Sequence, residues 1–282
     1  MKAGTTTKPL VHTTLPKGWL LFFFVLPFLL YIQTVGNDYS VDDFSVTYQN
    51  SNVAKGLAGI GDIFTSHHVA DEKVSFAYRP VVLLTFAIEK EFFGFDPAVS
   101  HFINVLLYAF TCAFLFYLLF GMLSARGVIL PVLIVFLFTI HPIHTEVVNN
   151  IKSRDELLCF LFSIVSLWHF WRYSRVPKLK FAVWGILFFG LALLSKPSAL
   201  VFLAIIPLAI YGLSGEKKIS KNILYIFAAL AVGLILIKVG QKLVLPPVQN
   251  REFGFTENPL FFLPFIDRIP AGLYILGYYL RL

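Results

Sequence analysis

The densest polar segment between two apolar runs lies at residues 141–156, with the sequence HPIHTEVVNNIKSRDE. It contains two His, three acids, one Lys and one Arg, and the runs 128–140 and 157–171 flank it. His141 and His144, three residues apart, could share a metal ion, but two His without a third ligand make a weak metal site. Helix capping or packing at a membrane rim is the alternative. A solvated loop at such a rim needs fewer charges than this segment holds.

A second group with possible chemistry is the adjacent pair Asp42 and Asp43, which follows the first apolar run. A carboxylate at a membrane rim can act as a general base, and such a base typically contributes ~10²–10⁴ in rate. A solvated acidic turn is the alternative interpretation. Because adjacent side chains generally point apart, we expect only one of the two acids to face a substrate.

Composition defines the class of protein that must position these groups. Of the 282 residues, 57% are hydrophobic and 14% are charged, whereas soluble domains have ~45–50% apolar residues. The chain is therefore predicted to be a polytopic membrane protein. Cys112 and Cys159 lie inside apolar runs, which indicates buried thiols and neither a disulfide framework nor a metal site. In a membrane protein, the Lys and Arg residues behind the net charge of +7 indicate which loops face the cytoplasm. No nucleic-acid partner is therefore expected.

The predicted fold class is an all-α, polytopic membrane helix bundle of about eight spans, in a single transmembrane domain over residues 1–282. The predicted spans are 18–35, 98–123, 128–140, 157–171, 181–194, 199–213, 222–245 and 269–282. Several are shorter than ~20 residues and need help from neighbouring helices. The first is predicted to be an uncleaved helix, because no small-residue cleavage site follows it.

A large first loop, residues 36–97, separates the first two spans. Val53, Leu57, Ile60 and Phe64 recur in it at helical spacing, and the apolar run 81–88 is too short to cross a bilayer. These patterns predict helices that lie on the membrane interface or dip into it.

The basic residues are sorted between the two sides of the predicted bundle. If the N-terminus is cytoplasmic, the inner segments are 1–17, 124–126, 172–180 and 214–221, which hold eleven Lys or Arg and one acid, Glu216. The outer face then collects the remaining polar clusters: Asp42-Asp43, Tyr78-Arg79, 141–156, Lys196 and 249–257. Any polar chemistry is therefore predicted on the extracytoplasmic side.

Missing motifs narrow that chemistry further. The sequence has no phosphate loop, complete GxGxxG, GxSxG elbow, HExxH or D-x-D motif. A soluble nucleotide substrate is therefore not expected.

Several motifs together resemble the transmembrane portion of the tetratricopeptide-repeat-containing O-mannosyltransferases and their bacterial relatives, which are polytopic GT-C glycosyltransferases. They are Val41-Asp42-Asp43, Tyr78-Arg79-Pro80, Phe93-Gly94 with His101 and Asn104, the hexapeptide His141-Pro142-Ile143-His144-Thr145-Glu146, Arg154-Asp155-Glu156-Leu157-Leu158, and Leu194-Ser195-Lys196. The similarity covers about residues 36–282, and the hexapeptide with its downstream Arg-acid pair is the most specific part.

This resemblance implies an activity. Such enzymes transfer a sugar, mannose or a similar hexose, from a polyprenyl-phosphate carrier to an acceptor hydroxyl on protein or lipid. The reaction is a metal-independent, inverting displacement at the extracytoplasmic face, which is periplasmic in a bacterium and luminal in a eukaryote. The lipid-linked sugar is a substrate, and no cofactor is implied.

The resemblance also implies residue roles. It places the catalytic base at Asp42, with Asp43 steering the acceptor or tuning its neighbour, although the order within this pair stays open. Arg154 is expected to hold the carrier phosphate, because a guanidinium can bind two phosphate oxygens; an ion pair with Asp155, Glu156 or Glu146 is the alternative. Further phosphate ligands and supporting residues are expected among Arg79, Lys152, Lys196, Tyr78, His141, His144, Glu146, Asp155 and Glu156.

Two departures from the family pattern matter. The family usually has an acid after the Lys that corresponds to Lys196, whereas this chain has Pro197, so no role is transferred to that acid. The sequence also stops inside an apolar run, without further helices or repeats. We therefore expect a C-terminally truncated domain that is inactive by itself.

Two other classes of function remain possible. A transporter would place ionisable groups near the middle of broken helices, often within an internal repeat. Here the charges lie at the rims, with Lys238 and His169 as the main exceptions, and no repeat is visible. A non-catalytic scaffold that anchors a repeat domain would keep the same spans, and retention of the paired Asp and the Arg counts against it.

The sorting of basic residues yields a prediction for topology. Cysteines introduced within residues 37–70 or 145–152 should react with a membrane-impermeant thiol reagent added from outside, because those segments are assigned to the outer face. Cysteines within 174–178 should react only after the membrane is opened. Labelling of the segment 172–180 from outside would reverse the assignment of faces.

Overall fold

The computed structural model describes residues 15–67, 69–70, 75–76, 78–123, 126–214, 221–245 and 259–281. Most of the predicted inner segments 1–17, 124–126 and 214–221, and the predicted outer segment 249–257, lie outside these residues. The described chain is an all-α helix bundle, apart from a pair of two-residue strands, β1 (Val69–Ala70) and β2 (Ser75–Phe76).

The α-helices follow the apolar runs of the sequence. In chain order they are α1 (Lys17–Tyr31), α2 (Ser51–Ala54), α3 (Ile60–Thr65), α4 (Pro80–Phe93), α5 (Pro97–Leu123), α6 (Ile129–Ile140), α7 (His144–Asn149), α8 (Arg154–Arg175), α9 (Leu179–Ser195), α10 (Phe202–Ser214), α11 (Lys221–Val244) and α12 (Phe265–Arg281). Short 3₁₀ segments lie at Ile32–Gly36, Val41–Val46, Gly56–Gly59, Ile151–Ser153, Pro197–Val201 and Pro259–Phe262.

Each of the eight predicted spans corresponds to a helix. Within the described part of the chain, four helical segments are long and apolar enough to cross a bilayer: Lys17–Gly36, Pro97–Leu123, Ile151–Arg175 and Leu224–Val244. The shorter apolar helices include α6, α9 and α10. Helix α12 has 17 residues and carries Asp267 in its first turn. The all-α membrane bundle predicted from composition is therefore confirmed.

The chain forms two compact units. The first comprises Met1–Val69 and Ala77–Pro246 and contains helices α1 to α11. The second comprises Ala70–Phe76 and Pro247–Leu282 and contains α12, whose Arg268 braces the preceding turn by donating to the carbonyls of Leu263 and Phe261, each at 3.0 Å.

The main core of the first unit lies among its long helices. Helix α1 packs along α5, where the rings of Phe23 and Phe116 are 5.2 Å apart, and α8 packs along α9. Phe170 and Phe189 are buried in this core, and Phe160 and Phe202 pack against it with their centroids 6.2 Å apart. This packing holds α8 in place, and the polar segment that precedes α8 is held with it.

A second, smaller core lies under the first loop, where the structure has the short helices α2 and α3. Val53 and Ile63 are buried there, whereas Leu57 is 40% exposed, so the apolar residues of this stretch do not all lie on one face. The reason is Gly56, whose φ of +60° ends α2 and begins a 3₁₀ turn. A side-chain oxygen of Glu91 accepts from the Leu57 amide at 3.1 Å and stabilises that turn.

Helix α4, which contains the apolar run 81–88, is also largely buried. Val82, Leu83, Phe86 and Ala87 are buried in the smaller core together with Ile151 and Leu158 of the next polar segment. The first loop is therefore a packed layer that contacts α8 directly, and this contact sets the position of the polar residues discussed below.

Close packing of α8 on α9 generates a stability prediction. A Cβ atom added at Gly185 would lie 2.8 Å from the Phe170 ring, so Gly185→Ala should lower the free energy of unfolding by about 1–3 kcal/mol. The matched control is Gly190→Ala on the same helix, where the nearest atom, on Ile237, is 3.7 Å away. Thermal unfolding in detergent measures both. Equal stability of the two variants would contradict the packing.

Candidate functional site

The two adjacent acids lie on the 3₁₀ segment Val41–Val46 and have different surroundings. Asp43 is buried, and one of its oxygens accepts from the amide and hydroxyl of Ser40, each at 2.8 Å, as a capping box. Its other oxygen accepts from the Lys152 amide at 2.8 Å. Asp42 has a side chain that is 63% exposed, with Oδ2 3.0 Å from Lys152 Nζ. Only Asp42 therefore presents a carboxylate to solvent.

Lys152 connects this acidic turn to the polar segment predicted as the centre of the site. Its amide is held by Asp43 and its ammonium by Asp42, so both acids contact the same residue. It lies in the 3₁₀ segment Ile151–Ser153, which leads directly into α8. The acidic turn and the start of α8 are therefore fixed relative to each other.

Arg154, predicted to bind a phosphate, is completely buried. Its guanidinium donates to Asn104 Oδ1 at 2.8 Å, to Glu89 Oε2 at 2.5 Å and to the Ser100 carbonyl at 3.0 Å, and it lies 4.0 Å from the centre of the Phe86 ring. These contacts leave no exposed surface for an anion. Arg154 therefore takes part in a buried ion pair, which is the kind of contact that the sequence left open as its alternative role.

The ion-pair partner of Arg154 is also different from the three acids considered in the sequence. Glu89, on α4, pairs with it, and Ser100 donates its hydroxyl to the other Glu89 oxygen. The available sequence signal was an acid directly after the apolar run 81–88, since a buried charge needs a partner. The partner itself could not be identified, because Glu89 and Arg154 are far apart in sequence.

Two other cations converge on Asp155. Arg79 and Lys196 both contact this buried carboxylate, Lys196 at 3.3 Å, and Lys196 also donates to Glu156 Oε1 at 2.6 Å. The side chains of Arg79 and Lys196 are 19% and 23% exposed, and Arg79 Nε is buried and has no hydrogen-bond partner among the residues that the structure describes. Arginine has five N–H donors and lysine three, so both cations retain donors for a further anion.

The acidic turn and this cation cluster are connected by a short stretch of backbone. Lys152, paired with Asp42, precedes Asp155 by three residues, and a 3₁₀ path of that length advances only about 6 Å. Asp42 and Lys152 therefore belong to the same part of the first unit as Arg79, Asp155, Lys196 and Glu156. An exposed carboxylate and two cations in one region could serve a proton transfer beside an anionic group.

The other predicted site residues lie around this group. Tyr78 donates its hydroxyl to the Phe64 carbonyl at 2.9 Å, and burial raises the pKa of this hydroxyl. The hydrogen bond links α3 to the residue that precedes Arg79. Glu146 is exposed in the first turn of α7. His141 is exposed, and its Nδ1 accepts from the Ile143 amide at 3.3 Å. Within the described ranges, neither His belongs to a group of three or more metal-ligating side chains.

His144 differs from His141 because it packs inward. Its ring lies 4.3 Å from Phe138 and 5.4 Å from Tyr108, between centroids, and burial lowers its pKa. The imidazole is therefore neutral near pH 7.

Sequence reasoning did not anticipate the polar residues around Arg154. Asn104 accepts from Arg154 and donates to the carbonyl of Asn150 at 3.1 Å, and Thr85 lies 3.4 Å from the guanidinium. Asn104 was part of the family resemblance, but its role follows only from the way α5 passes beside the start of α8.

The sequence of this chain is similar to those of several protein O-mannosyl-transferases. Protein O-mannosyl-transferase Tmtc2 of Drosophila melanogaster is 28% identical over 277 residues, which cover 93% of this chain and 29% of the relative. The mouse (Mus musculus) TMTC4 is 31% identical over 176 residues, or 56% of this chain and 23% of the relative. Human (Homo sapiens) TMTC1 is 30% identical over 145 residues, which cover 49% of this chain and 16% of the relative. The chain thus spans less than a third of each of these relatives. No family model and no solved structure matches it.

The buried ion pair yields a stability prediction. Glu89→Leu leaves the Arg154 charge buried without a counter-charge, so the free energy of unfolding should fall by about 3–5 kcal/mol. Asp62→Leu, which removes the partner of Lys55 in a pair whose side chains are half exposed, should change it by no more than about 1 kcal/mol. Chemical or thermal unfolding in detergent measures both. A Glu89→Leu variant as stable as Asp62→Leu would show that the pair is not needed.

Proposed function

The curated homologues of this chain are protein O-mannosyl-transferases of the TMTC family, and from this premise we propose that the chain is the catalytic membrane part of a glycosyltransferase. The proposed donor is mannose, or a similar hexose, carried on a polyprenyl phosphate. The proposed acceptor is a hydroxyl group on a protein. A membrane location fits the apolar helices, since a polyprenyl carrier is itself held in the bilayer.

One observation supports this function most strongly: an exposed carboxylate and a pair of partly exposed cations are held by one short segment of backbone. Asp42 is 63% exposed and pairs with Lys152. Three residues after Lys152 comes Asp155, the acid that Arg79 and Lys196 both contact. A base and a cationic site attached to the same segment match the two needs of sugar transfer from a phosphate.

In the proposed reaction, Asp42 accepts the proton of the acceptor hydroxyl as its oxygen attacks the anomeric carbon of the sugar. The bond between that carbon and the phosphate oxygen breaks, and its electron pair leaves with the carrier phosphate. Attack opposite the leaving group inverts the anomeric centre. The products are the O-glycosylated acceptor and the free carrier phosphate.

Arg79 and Lys196 are the proposed ligands of the carrier phosphate. Both lie at the surface of the cluster and have spare N–H donors, whereas Arg154 is enclosed. Charge-assisted hydrogen bonds from a guanidinium and an ammonium stabilise the negative charge that develops on the leaving phosphate. We propose that these two cations take the role that a metal ion has in other transferases.

Arg154 has a positioning role in this proposal. Through Glu89, Ser100 and Asn104 it joins α4 and α5 to α8, and the residues on either side of it carry the site. The active face is proposed to be extracytoplasmic, because the segments with eleven basic residues and one acid are assigned to the opposite face.

Substitution of the proposed base gives a direct test in the full-length protein. Asp42→Asn keeps the size of the side chain but cannot take up the proton, so transfer from a polyprenyl-phosphate mannose to protein should fall by ~10²-fold or more. Donor binding should persist. Asp43→Asn should lower transfer less, through loosening of the turn that its carboxylate caps.

The matched control is Asp62→Asn, which alters another exposed acid paired with a lysine, on α3. It should transfer sugar like the parent protein. Near-normal transfer by the Asp42→Asn, Asp43→Asn double variant would overturn the proposed mechanism.

A further inference from the structure

A small cavity lies among α5, α6, α7 and the start of α8. Its volume is about 200 Å³, and aromatic rings of Tyr108, Phe138 and Phe160 line it together with His144 and Glu156. Pockets for drug-sized ligands measure ~300–1,000 Å³, so this cavity suits a single ring-sized group.

The cavity holds polar groups that a purely hydrocarbon ligand would leave unpaired. His144 Nδ1 is buried and makes no hydrogen bond of normal geometry among the described residues. Burial lowers the pKa of its imidazole, although the backbone of His141 and Phe138 is near enough to raise it against this larger effect. Buried polar atoms in proteins are rarely unpaired, so such an atom beside a cavity indicates a polar occupant. Glu156 adds a carboxylate, of which Oε1 accepts from Lys196 at 2.6 Å. By contrast, the Tyr108 hydroxyl already donates to the Thr139 carbonyl at 3.1 Å.

The position of the cavity relates it to the proposed phosphate site. Glu156 lines the cavity and also contacts Lys196, one of the two cations on Asp155. Glu156 also follows Lys152, the partner of Asp42, by four residues, which is about one helical turn. The cavity is therefore adjacent to Lys196, one of the proposed phosphate ligands, and its Glu156 lies four residues along the chain from the lysine that pairs with the proposed base.

From this placement we infer that the cavity is the binding site for the hexose ring of the lipid-linked donor. This inference rests on the proposed function. The ring would pack its C–H face against the aromatic side chains, and its hydroxyl groups would hydrogen-bond to His144 Nδ1 and to Glu156. The phosphate attached to the ring would then lie at Lys196 and Arg79. His144 is neutral at physiological pH, because burial lowers its pKa, so Nδ1 can act as donor or acceptor.

A pair of probes tests the assignment in the full-length protein. One is a polyprenyl-phosphate mannose and the other is the same polyprenyl phosphate without sugar. His144→Phe keeps an aromatic ring but removes the nitrogens. It should weaken binding of the sugar-bearing probe by about three- to tenfold, the usual worth of one hydrogen bond, and leave binding of the sugar-free probe unchanged.

The matched control is His169→Phe on α8. His169 also has a buried Nδ1 without a partner in the described part of the chain, and its ring stacks on Phe188 at 5.7 Å, but it does not line the cavity. This variant should bind both probes like the parent protein.

The possible outcomes separate this inference from the proposed function. Equal weakening of both probes by His144→Phe would mean that the cavity holds the carrier or has only a structural role, and would overturn the hexose assignment. Unchanged binding of both probes would overturn it as well. If the parent protein binds neither probe and transfers no sugar, the proposed function itself fails.

Discussion

The arrangement of the first unit depends on the burial of one guanidinium. Arg154 is the first residue of α8 and has no exposed surface. Its guanidinium donates hydrogen bonds to Glu89 on α4 and to the Ser100 carbonyl on α5. The net contribution of such a pair to folding is small, because the cost of desolvating both charges offsets their attraction. Its effect on geometry is large, since the charge cannot be buried unless these three helices meet in one arrangement.

The surrounding site follows from this constraint. Lys152 precedes Arg154 by two residues and Asp155 follows it directly, so the burial of Arg154 fixes where its neighbours emerge. Asp43 then holds the amide of Lys152 and brings the acidic turn to the same place. The residues proposed to carry chemistry are thus sequence neighbours of the buried Arg154 or contact such neighbours. Support of this kind keeps the geometry of a site fixed before a substrate binds.

Exposure separates the structural charges from those available for binding. The Arg154 and Glu89 pair and the Asp43 carboxylate are buried and fully hydrogen-bonded, whereas Asp42, Lys152, Arg79 and Lys196 remain partly exposed. The Asp42–Lys152 pair is exposed, and exposed ion pairs contribute little to stability, so a ligand can exchange partners with it at small cost. Arg79 and Lys196 hold the buried Asp155 and would bind a ligand through their remaining donors. The two adjacent acids illustrate the difference: Asp43 is a buried structural cap, and Asp42 is exposed and paired with Lys152.

The sequence by itself determined the class, the helices and the identity of the polar motifs. Apolar runs of helical length specify all the long helices, because an apolar helix must be buried or lie in lipid wherever it occurs. The sequence also separated Asp42 from Asp43 in principle, because adjacent side chains point apart. The sequence could not show that Asp43 is the buried cap and Asp42 the exposed acid, and it could not show that Arg154 is buried. Both depend on contacts with residues that are distant along the chain: Lys152 for the acids and Glu89 for Arg154. Only the tertiary structure decided which charges meet, because burial of a charge is a property of its surroundings and not of its residue type.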